Sequence, residues 1–366
     1  MPILLESVLA SLPRAWRSAI LLLTMLLGLG VALSAEAAAP QRQDPGTPSA
    51  DVPANDAQLA ALRRALNAVV AVRVSATEGA STARTLGEER SGSGVVIDGD
   101  GLILTIGYLL LEAQTIEITT HDERRMPARQ VAYDQATGFG LVQPLVPLRP
   151  RIEPAPLGSV APLEVGDALM VSISGESGAE VGVVRMADRR AFSGYWEYHI
   201  EQALFTVPPV PNHSGAALFN RKGELLGIGS LFVADAPNIG RVIPGNMFVP
   251  VDLLAPVLAE MRATGSTRAS HRPWLGVSSQ LEGGRVRIVR VERGGPAQLA
   301  GVGVGDEVLE VDGAPVDSLE SFYKKVWARP APTDDVELTL RQGEEVRKLR
   351  VHAIDRMQTL RKPQGI

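Results

Sequence analysis

Short runs in which apolar and polar residues alternate dominate the middle of the chain. Apolar side chains recur at every second position in residues 115–120 and again in residues 168–173, which is the period of a strand with one buried face. The turn sequence DGDG at residues 98–101 separates two further apolar runs and predicts a hairpin. Because such strands and turns continue to about Pro250, residues 57–262 are predicted to form a β-barrel or β-sandwich domain.

Helical periodicity is confined to a few short segments. Leu59, Leu62 and Leu66 are spaced by three and four residues and predict a helix at the start of the first domain. Residues 251–262 predict an amphipathic helix that closes this domain. Residues 263–273 are rich in small and polar residues and predict a linker.

From Trp274 the pattern changes to strands interleaved with short helices. Strands are predicted at residues 286–291, 306–311, 336–340 and 347–351, and helices at residues 296–300 and 319–328. Residues 274–355 are therefore predicted to form a second domain of the α+β class, followed by a tail over residues 356–366. Six Arg and Lys residues between Arg347 and Lys362 indicate a solvated face and tail.

The first 56 residues indicate export rather than a globular fold. Arg14 and Arg17 precede an apolar run over residues 19–33, and the small residues that follow include AEA at residues 35–37. This order predicts a secretory signal peptide over residues 1–37 and a flexible segment over residues 38–56. The predicted location is the bacterial periplasm. The alternative is an uncleaved leader that anchors the chain in the inner membrane, although about 15 apolar residues are few for a span.

Composition and charge exclude several classes of function. The chain has 366 residues, of which 45% are hydrophobic, so that more than one domain with a buried core can form. The formal net charge of −5 argues against a nucleic-acid-binding protein. The absence of cysteine excludes disulfides and thiolate metal sites, and the five histidines show no metal-binding spacing. Neither a metal nor another cofactor is therefore predicted.

The second domain carries a recognisable order of motifs. WLGV at residues 274–277 precedes a strand, and GGPAQLAGV at residues 294–302 and GDEVLEVDG at residues 305–313 follow. This order resembles a PDZ domain over nearly the whole length of the second domain. Such domains add a peptide to a sheet edge and hold its terminal carboxylate with backbone N–H groups. The resemblance assigns that loop to Trp274, Leu275, Gly276 and Val277; a PDZ fold with a blocked groove is the alternative.

The first domain resembles the trypsin-like proteases of the HtrA/DegP family. NHSGAALFN at residues 212–220, followed by GELLGI at residues 223–228, is similar to the segment in which those enzymes carry the nucleophilic serine. Four further landmarks follow the family order, at residues 91–110, 134–141, 156–167 and 245–254. The resemblance implies a mostly β fold, a trypsin-like double β-barrel followed by a PDZ domain of the α+β class, over roughly residues 60–355.

Two of the three catalytic positions of that family are substituted in this chain. Ser214 occupies the nucleophile position, but Tyr108 stands at the position of the histidine base and Gly138 at that of the orienting aspartate. A serine without a base is a poor nucleophile, and losing base and acid costs on the order of 10⁶ in kcat. The oxyanion loop, Asn212-His213-Ser214, also carries Asn212 in place of a glycine, which makes a positive φ harder to adopt.

These substitutions favour a pseudoprotease: an exported protein without proteolytic activity that binds peptides, unfolded proteins or envelope proteins as an adaptor, chaperone-like factor or regulator. The expected partners are peptide or protein C-termini, an active protease or an envelope complex, and a membrane only if the leader stays uncleaved. One alternative is an active serine endopeptidase in which His213, His199 or His121 supplies a relocated base. Another is a structural partner in an envelope complex, and tight packing alone could explain the small residues around Ser214.

Overall fold

Two closed six-stranded β-barrels form the first part of the fold. The computed structural model describes residues 56–149, 151–175 and 178–362, so the predicted signal peptide and nearly all of the predicted flexible segment lie outside the described residues. The strands of the first barrel are β1 (Val69–Ala76), β2 (Glu89–Val96), β3 (Ile103–Ile106), β4 (Ala113–Thr119), β5 (Arg125–Tyr133) and β6 (Phe139–Pro144). They close in the order β1-β2-β3-β6-β5-β4, with antiparallel pairing throughout.

The second barrel repeats this topology. Its strands are β7 (Ala168–Gly175), β8 (Gly178–Gly194), β9 (Tyr198–Val207), β10 (Ala217–Phe219), β11 (Leu225–Val233) and β12 (Gly245–Pro250). They close in the order β10-β11-β12-β9-β8-β7. Strands β8 and β9 form a long hairpin, and its turn reaches from the second barrel to the C-terminal domain.

Alternation of side chains explains why these segments form barrels. Along β1, Val70, Val72 and Val74 each expose at most 1% of their surface, because every second residue faces the barrel interior. In the second barrel, Leu218 and Phe248 are fully buried, and the short strands β10 and β12 that carry them are buried along their whole length. The apolar area removed from water at such positions is the main stabilising contribution to the fold.

The C-terminal domain is a small sheet covered by helices. Its strands are β13 (Pro273–Trp274), β14 (Val277–Glu282), β15 (Arg285–Val291), β16 (Glu307–Val311), β17 (Ala314–Pro315), β18 (Asp335–Gln342), β19 (Glu345–His352) and β20 (Ile354–Asp355). The main sheet runs β14-β15-β16-β18-β19, which leaves β14 at one edge. The prediction of a mostly β chain, with a double barrel before an α+β domain, is confirmed.

Short helices connect and cover these sheets. They are α1 (Asp56–Asn67), α2 (Ala83–Leu86), α3 (Leu258–Thr264), α4 (Pro296–Leu299), α5 (Leu319–Trp327) and α6 (Arg356–Thr359). A capping box at Ser318 and Ser321 begins α5, and Phe322, Tyr323 and Val326 form its buried face. Among the residues that the structure describes, every helix is too short or too polar to span a bilayer.

The continuous helix predicted over residues 251–262 is wrong. The chain instead forms a 3₁₀-helix at Val251–Leu253 and the short helix α3, which begins only at Leu258. Pro256 lies between them, and a proline inside a helix removes an N–H donor and clashes with the preceding turn. The apolar positions of the pattern still face the core, because Leu254 and Met261 are fully buried.

The predicted linker and the predicted tail both contain residues that are buried or hydrogen-bonded to the first barrel. Within residues 263–273, Ser266, Thr267 and Ser270 are buried, and Arg268–Ser270 forms a 3₁₀-helix. At the other end, Arg361 donates from its backbone amide to Glu112 and from its guanidinium to the Glu78 carbonyl. Both segments therefore pack on the first barrel, which the sequence pattern did not predict.

Candidate active site and peptide-binding loop

Ser214 lies in the turn before β10, where the chain passes close to the first barrel. The Ser93 amide donates a hydrogen bond to the Ser214 carbonyl at 2.8 Å. The next residue, Gly215, has a φ of +75°, and a Cβ on it would lie 1.9 Å from the carbonyl oxygen of Ser93. Conformation and space therefore both require glycine there. Ser214 itself is only half-buried, so tight packing does not explain its hydroxyl.

Tyr108 lies directly against the Ser214 hydroxyl. The 3₁₀-helix Gly107–Leu110 carries it, and its Oη is 2.7 Å from Ser214 Oγ and 2.9 Å from the carbonyl oxygen of Ser230. A phenol has one proton and a carbonyl only accepts, so Tyr108 donates to Ser230 and the Ser214 hydroxyl donates to the phenol oxygen. Burial raises the pKa of Tyr108 to about 12, although the hydrogen bond with Ser214 opposes the rise. At neutral pH the partner of Ser214 is therefore a neutral phenol and not a base.

A tyrosine from the second barrel occupies the space beside Gly138, where a side chain at residue 138 would lie. Gly138 has a φ of +84°, and a Cβ on it would lie 2.8 Å from the Tyr198 hydroxyl. That hydroxyl donates to the Thr137 carbonyl at 2.7 Å. Burial raises the pKa of Tyr198 well above its usual value, so it stays neutral. An aspartate at residue 138 would therefore require Tyr198 to move.

The structure does not bring a histidine to Ser214. His199 bonds through Nδ1 to Ser193 Oγ at 2.9 Å, and His121 is exposed on the first barrel. His213 is half-buried, and burial lowers its pKa while a hydrogen bond with the Val210 backbone opposes the shift. Among the described residues, no histidine nitrogen forms a hydrogen bond with Ser214 Oγ.

Asn212 adopts a positive φ of +50°. The turn therefore adopts a positive φ at a residue for which this conformation is harder than for glycine. Asparagine is one of the few residues whose short polar side chain tolerates the left-handed region. The turn Asn212-His213-Ser214 consequently keeps a left-handed residue two positions before the serine.

A buried aspartate holds the loop that precedes Gly138. Asp134 is fully buried and accepts hydrogen bonds from the amide and hydroxyl of Thr137 and from the hydroxyls of Thr267 and Ser270. Burial alone would raise the pKa of Asp134, but the hydrogen bonds from Ser270, Thr137 and Thr267 outweigh it, so the pKa is lowered. This ionised carboxylate ties the predicted linker to the first barrel beside the active-site position.

The predicted carboxylate loop of the C-terminal domain holds a carboxylate of the same chain. Glu197, in the β8–β9 turn, accepts hydrogen bonds from the amides of Leu275, Gly276 and Val277 at 3.2, 2.9 and 3.1 Å. Three of the four residues predicted for peptide binding therefore contact one carboxyl group. Trp274 does not take part, because its backbone pairs with Ile354 between β13 and β20.

Glu197 was missed by the sequence analysis, although its surroundings carry a signal. Hairpin turns favour Gly, Asn and Asp, but residues 192–198 read FSGYWEY, with four aromatic residues in seven positions. In a chain with only 4% aromatic residues, this cluster indicates a buried contact at the turn. The pattern does not say what the turn contacts.

Next to this turn lies a charged cluster that spacing along the chain does not reveal. His199, Glu201 and Glu320 bring ligand atoms within 4.8 Å of one another. Lys324 Nζ, however, lies 2.6 Å from a carboxylate oxygen of both Glu201 and Glu320. The single ammonium group bridges the two carboxylates and offsets one of their two negative charges, so the cluster is described as a salt-bridge network between the β8–β9 hairpin and α5.

Comparison with known proteins follows the same division of the chain. The family model of the trypsin-like peptidase domain matches residues 92–228, and that of the PDZ domain matches residues 273–353. The protein is therefore a trypsin-like peptidase domain joined to a PDZ domain. The relatives that the chain matches include proteins named as putative serine proteases and as DegP-like serine endoproteases, so the chain is similar to HtrA/DegP proteases.

Two relatives illustrate the extent of the similarity. A putative serine protease HhoA of Synechocystis is 28% identical over 251 residues, covering 62% of this chain and 61% of the relative. A probable periplasmic serine endoprotease DegP-like of Halomonas elongata is 30% identical over 275 residues, covering 70% of this chain and 55% of the relative. The chain thus spans less than two thirds of the length of either relative.

Solved structures support the fold. The structure of the HtrA-type protease AlgW with a decapeptide aligns with this chain at a TM-score of 0.51 and 20% sequence identity. The alignment covers 84% of this chain and 99% of the AlgW chain. A serine endoprotease from Yersinia pestis covers 81% of this chain and is matched over 97% of its own length, with a TM-score of 0.50 and 21% identity. At this level of identity the likeness establishes the architecture only.

Proposed function

We propose that this chain is an exported HtrA-like pseudoprotease that binds peptides and unfolded or envelope proteins instead of cleaving them. The observation that carries this proposal is the 2.7 Å contact between Tyr108 Oη and Ser214 Oγ. A neutral phenol stands where proteolysis needs a base. The proposed role is that of an adaptor, a chaperone-like factor or a regulator of an active protease.

The chemistry of Tyr108 argues against peptide hydrolysis. Attack by Ser214 requires a group that takes its proton near neutral pH. Tyr108 with a pKa of about 12 is almost wholly protonated there, and its own proton is held by the Ser230 carbonyl. Transfer from serine to such a phenol is uphill, so the nucleophile stays a neutral alcohol.

The third position of the triad also supports this proposal. The carboxylate that orients a catalytic histidine has no counterpart at Gly138, because the Tyr198 hydroxyl occupies the adjoining space. A histidine introduced by mutation would therefore lack the group that fixes its tautomer. The proposed inactivity thus depends on two separate contacts, that of Tyr108 with Ser214 and that of Tyr198 with the backbone at Gly138.

Peptide binding is supported by the PDZ domain rather than by the barrel. The amides of Leu275, Gly276 and Val277 converge on one carboxylate, which is the chemistry needed for a peptide C-terminus. Strand β14 forms the edge of the sheet beside this loop, and an edge strand of this kind is the element with which an extended peptide pairs. Protein C-termini are accordingly the proposed partners, whether they come from an active protease or from an envelope complex.

The proposed compartment is the bacterial periplasm. The order of residues 1–37 supports a cleaved signal peptide, and the Halomonas elongata relative is named a probable periplasmic endoprotease. An inner-membrane anchor formed by the uncleaved leader is the alternative. Fractionation of cells that express the chain distinguishes the two locations.

Degradation of an unfolded protein by the mature chain tests the proposal. We expect fluorescent casein to remain intact with both the parent and the Ser214→Ala variant, while the parent slows the aggregation of a reduced, unfolded protein. The Ser214→Ala variant should slow aggregation equally, because binding does not need the hydroxyl. Cleavage by the parent that the Ser214→Ala variant lacks would overturn the proposal and establish the endopeptidase.

A further inference from the structure

The carboxylate that fills the PDZ loop is completely enclosed. Glu197 is 2% exposed, and its two carboxylate oxygens are bound by three successive backbone amides. Removing an ionised carboxylate from water is costly unless hydrogen bonds replace its hydration. Burial raises the pKa of Glu197, and the hydrogen bonds from the amides of Val277, Leu275 and Gly276 oppose that rise. The loop amides thus hold the Glu197 carboxyl group where the terminal carboxylate of a peptide would bind.

The backbone of the turn also forms hydrogen bonds with the two elements, β14 and α5, that border the PDZ groove. The Ser279 amide, on the edge strand β14, donates to the Tyr195 carbonyl at 2.8 Å. On the opposite wall, the Tyr323 hydroxyl of α5 donates to the Gly194 carbonyl at 2.8 Å. Residues 194–197 therefore lie between β14 and α5, in contact with both walls of the groove and with its carboxylate loop.

Charged contacts around the groove hold the turn in place. Half-buried Arg272 donates to the Glu197 carbonyl at 3.0 Å. Lys324 on α5 pairs with Glu201 on β9 at 2.6 Å. The salt bridge between Arg84 and Glu292 adds a contact between α2 and the PDZ domain. The exposed pairs contribute little each, so the buried carboxylate is the main anchor.

We propose that residues 194–197 are an internal competitor for the PDZ groove, and that an external peptide with a free terminal carboxylate enters only when this turn leaves. The proposal rests on the proposed function in one respect, namely that the groove takes peptide C-termini. Both ligands use the same three amides, so they exclude each other. The affinity measured for a peptide is then reduced by the fraction of molecules in which the groove is open.

Competition predicts that weakening the internal ligand strengthens the external one. Glu197→Gln keeps the size of the side chain but places an NH₂ group and no charge before the loop amides. Glu180→Gln is the matched control, because Glu180 is an exposed glutamate at the far end of the same hairpin. The probes are fluorescein-labelled decapeptides that end in Val, Leu, Phe or Trp, each with a free carboxylate and each also with a C-terminal amide.

Fluorescence anisotropy of the full mature chain then gives the decisive comparison. We expect the Glu197→Gln variant to bind at least one carboxylate probe tenfold or more tightly than the parent and the Glu180→Gln variant, with no such gain for the amidated probe. Equal affinities in all three proteins would overturn the competition and leave peptide binding intact. An equal gain for amidated probes would overturn it as well, since the carboxylate would not be the shared element.

Absence of binding in every protein would overturn both the competition and the PDZ part of the proposed function. The hydrolysis test with Ser214→Ala would be unaffected, so the two failures are distinguishable. Hydrogen–deuterium exchange on the parent removes the dependence on a variant that folds. A saturating carboxylate probe should accelerate exchange in residues 194–198 while residues 275–277 stay protected; unchanged exchange in residues 194–198 with bound probe would overturn the proposal.

Discussion

Glu197 and Tyr198 are adjacent in the chain, yet their side chains enter two different sites. The Glu197 carboxylate binds the amide of Gly276 in the PDZ loop, whereas the Tyr198 hydroxyl donates to the Thr137 carbonyl beside the position of the missing aspartate. The turn thus contacts the carboxylate loop of the PDZ domain, and the first residue of β9 lies beside Gly138 of the first barrel. Trp196 stacks on Tyr198 at 5.6 Å between ring centres and supports this side of the turn.

Restoring the histidine alone should not restore proteolysis. In a Tyr108→His variant the new imidazole lacks an orienting carboxylate, whose loss costs about 10⁴ in kcat in serine proteases. We expect no release of fluorescent peptides from labelled casein above that of the parent. A Tyr108→His/Gly138→Asp/Tyr198→Phe variant removes the hydroxyl that would meet an aspartate and is the informative comparison. Hydrolysis by Tyr108→His alone would contradict this account of Gly138.

The reactivity of Ser214 should be low and independent of pH in the neutral range. Because the pKa of Tyr108 is raised to about 12 by burial, the phenolate form that could accept a proton appears only at strongly alkaline pH. Labelling by a fluorophosphonate probe should therefore stay slow and flat from pH 6 to pH 10. Ser214→Ala gives the background rate. A rise in labelling with a midpoint near pH 6.5 would instead reveal a histidine base.

Asp134 should stabilise the fold in its ionised form. Asp134→Asn removes a buried charge that accepts hydrogen bonds from Thr137, Thr267 and Ser270, and hydrogen bonds to charged groups contribute about 1.5–3 kcal/mol. We expect the free energy of unfolding in urea to fall by roughly 2–3 kcal/mol at pH 7. The exposed Glu345→Gln substitution is the control, with a change below about 0.5 kcal/mol.

The pH dependence of this effect has a definite sign. The pKa of Asp134 is lowered in the folded state, because the hydrogen bonds outweigh its burial. Its contribution is therefore complete above the unfolded pKa of about 3.9 and is lost as the pH falls through the lower folded pKa. The difference between the parent and Asp134→Asn should shrink below pH ~3, and a difference that grows on acidification would contradict it.

Gly215 should tolerate no side chain, whereas another left-handed glycine of the same domain should. A Cβ at Gly215 would lie 1.9 Å from the Ser93 carbonyl oxygen, but one at Gly166, with a φ of +97°, would meet nothing within 4 Å. Gly166→Ala should therefore cost about 1–2 kcal/mol from backbone strain alone. We expect Gly215→Ala to cost more than about 3 kcal/mol or to prevent folding. Equal thermal stability of the two variants would contradict the steric argument.

Alternation of apolar residues predicts a β-barrel or β-sandwich domain, whereas the double barrel, the PDZ domain and the positions of Tyr108, Gly138 and Ser214 are implied by the resemblance to the HtrA/DegP family. Alternation along β1 and the order of motifs around Ser214 depend on near neighbours, which a sequence displays directly. The helix predicted over residues 251–262 is too long, because the apolar period continues through Pro256, whereas the helix itself begins only at Leu258. The packing of Tyr108 on Ser214 followed from the family order of the motifs, but its distance and its bond to Ser230 did not.

The contacts that define the PDZ groove could not be predicted, because they join residues far apart in the chain. Glu197 lies 79 residues before Gly276, and no periodicity links a hairpin turn of one domain to a loop of another. Residue type alone was also insufficient at Asn212. A positive φ is less expected for asparagine than for glycine, and the turn adopts it nonetheless. Long-range packing determines the position of Glu197, whereas the φ of Asn212 reflects the tolerance of asparagine for the left-handed region.

The docked turn also gives the protein an intrinsic optical signal. Apart from Trp16, every tryptophan of the sequence lies around this contact: Trp196 in the turn, Trp274 beside the carboxylate loop, and Trp327 under the guanidinium of Arg272. Departure of residues 194–197 would change the polarity around Trp196 and separate it from Tyr198. A red shift of the tryptophan emission would then report the open groove in unlabelled protein.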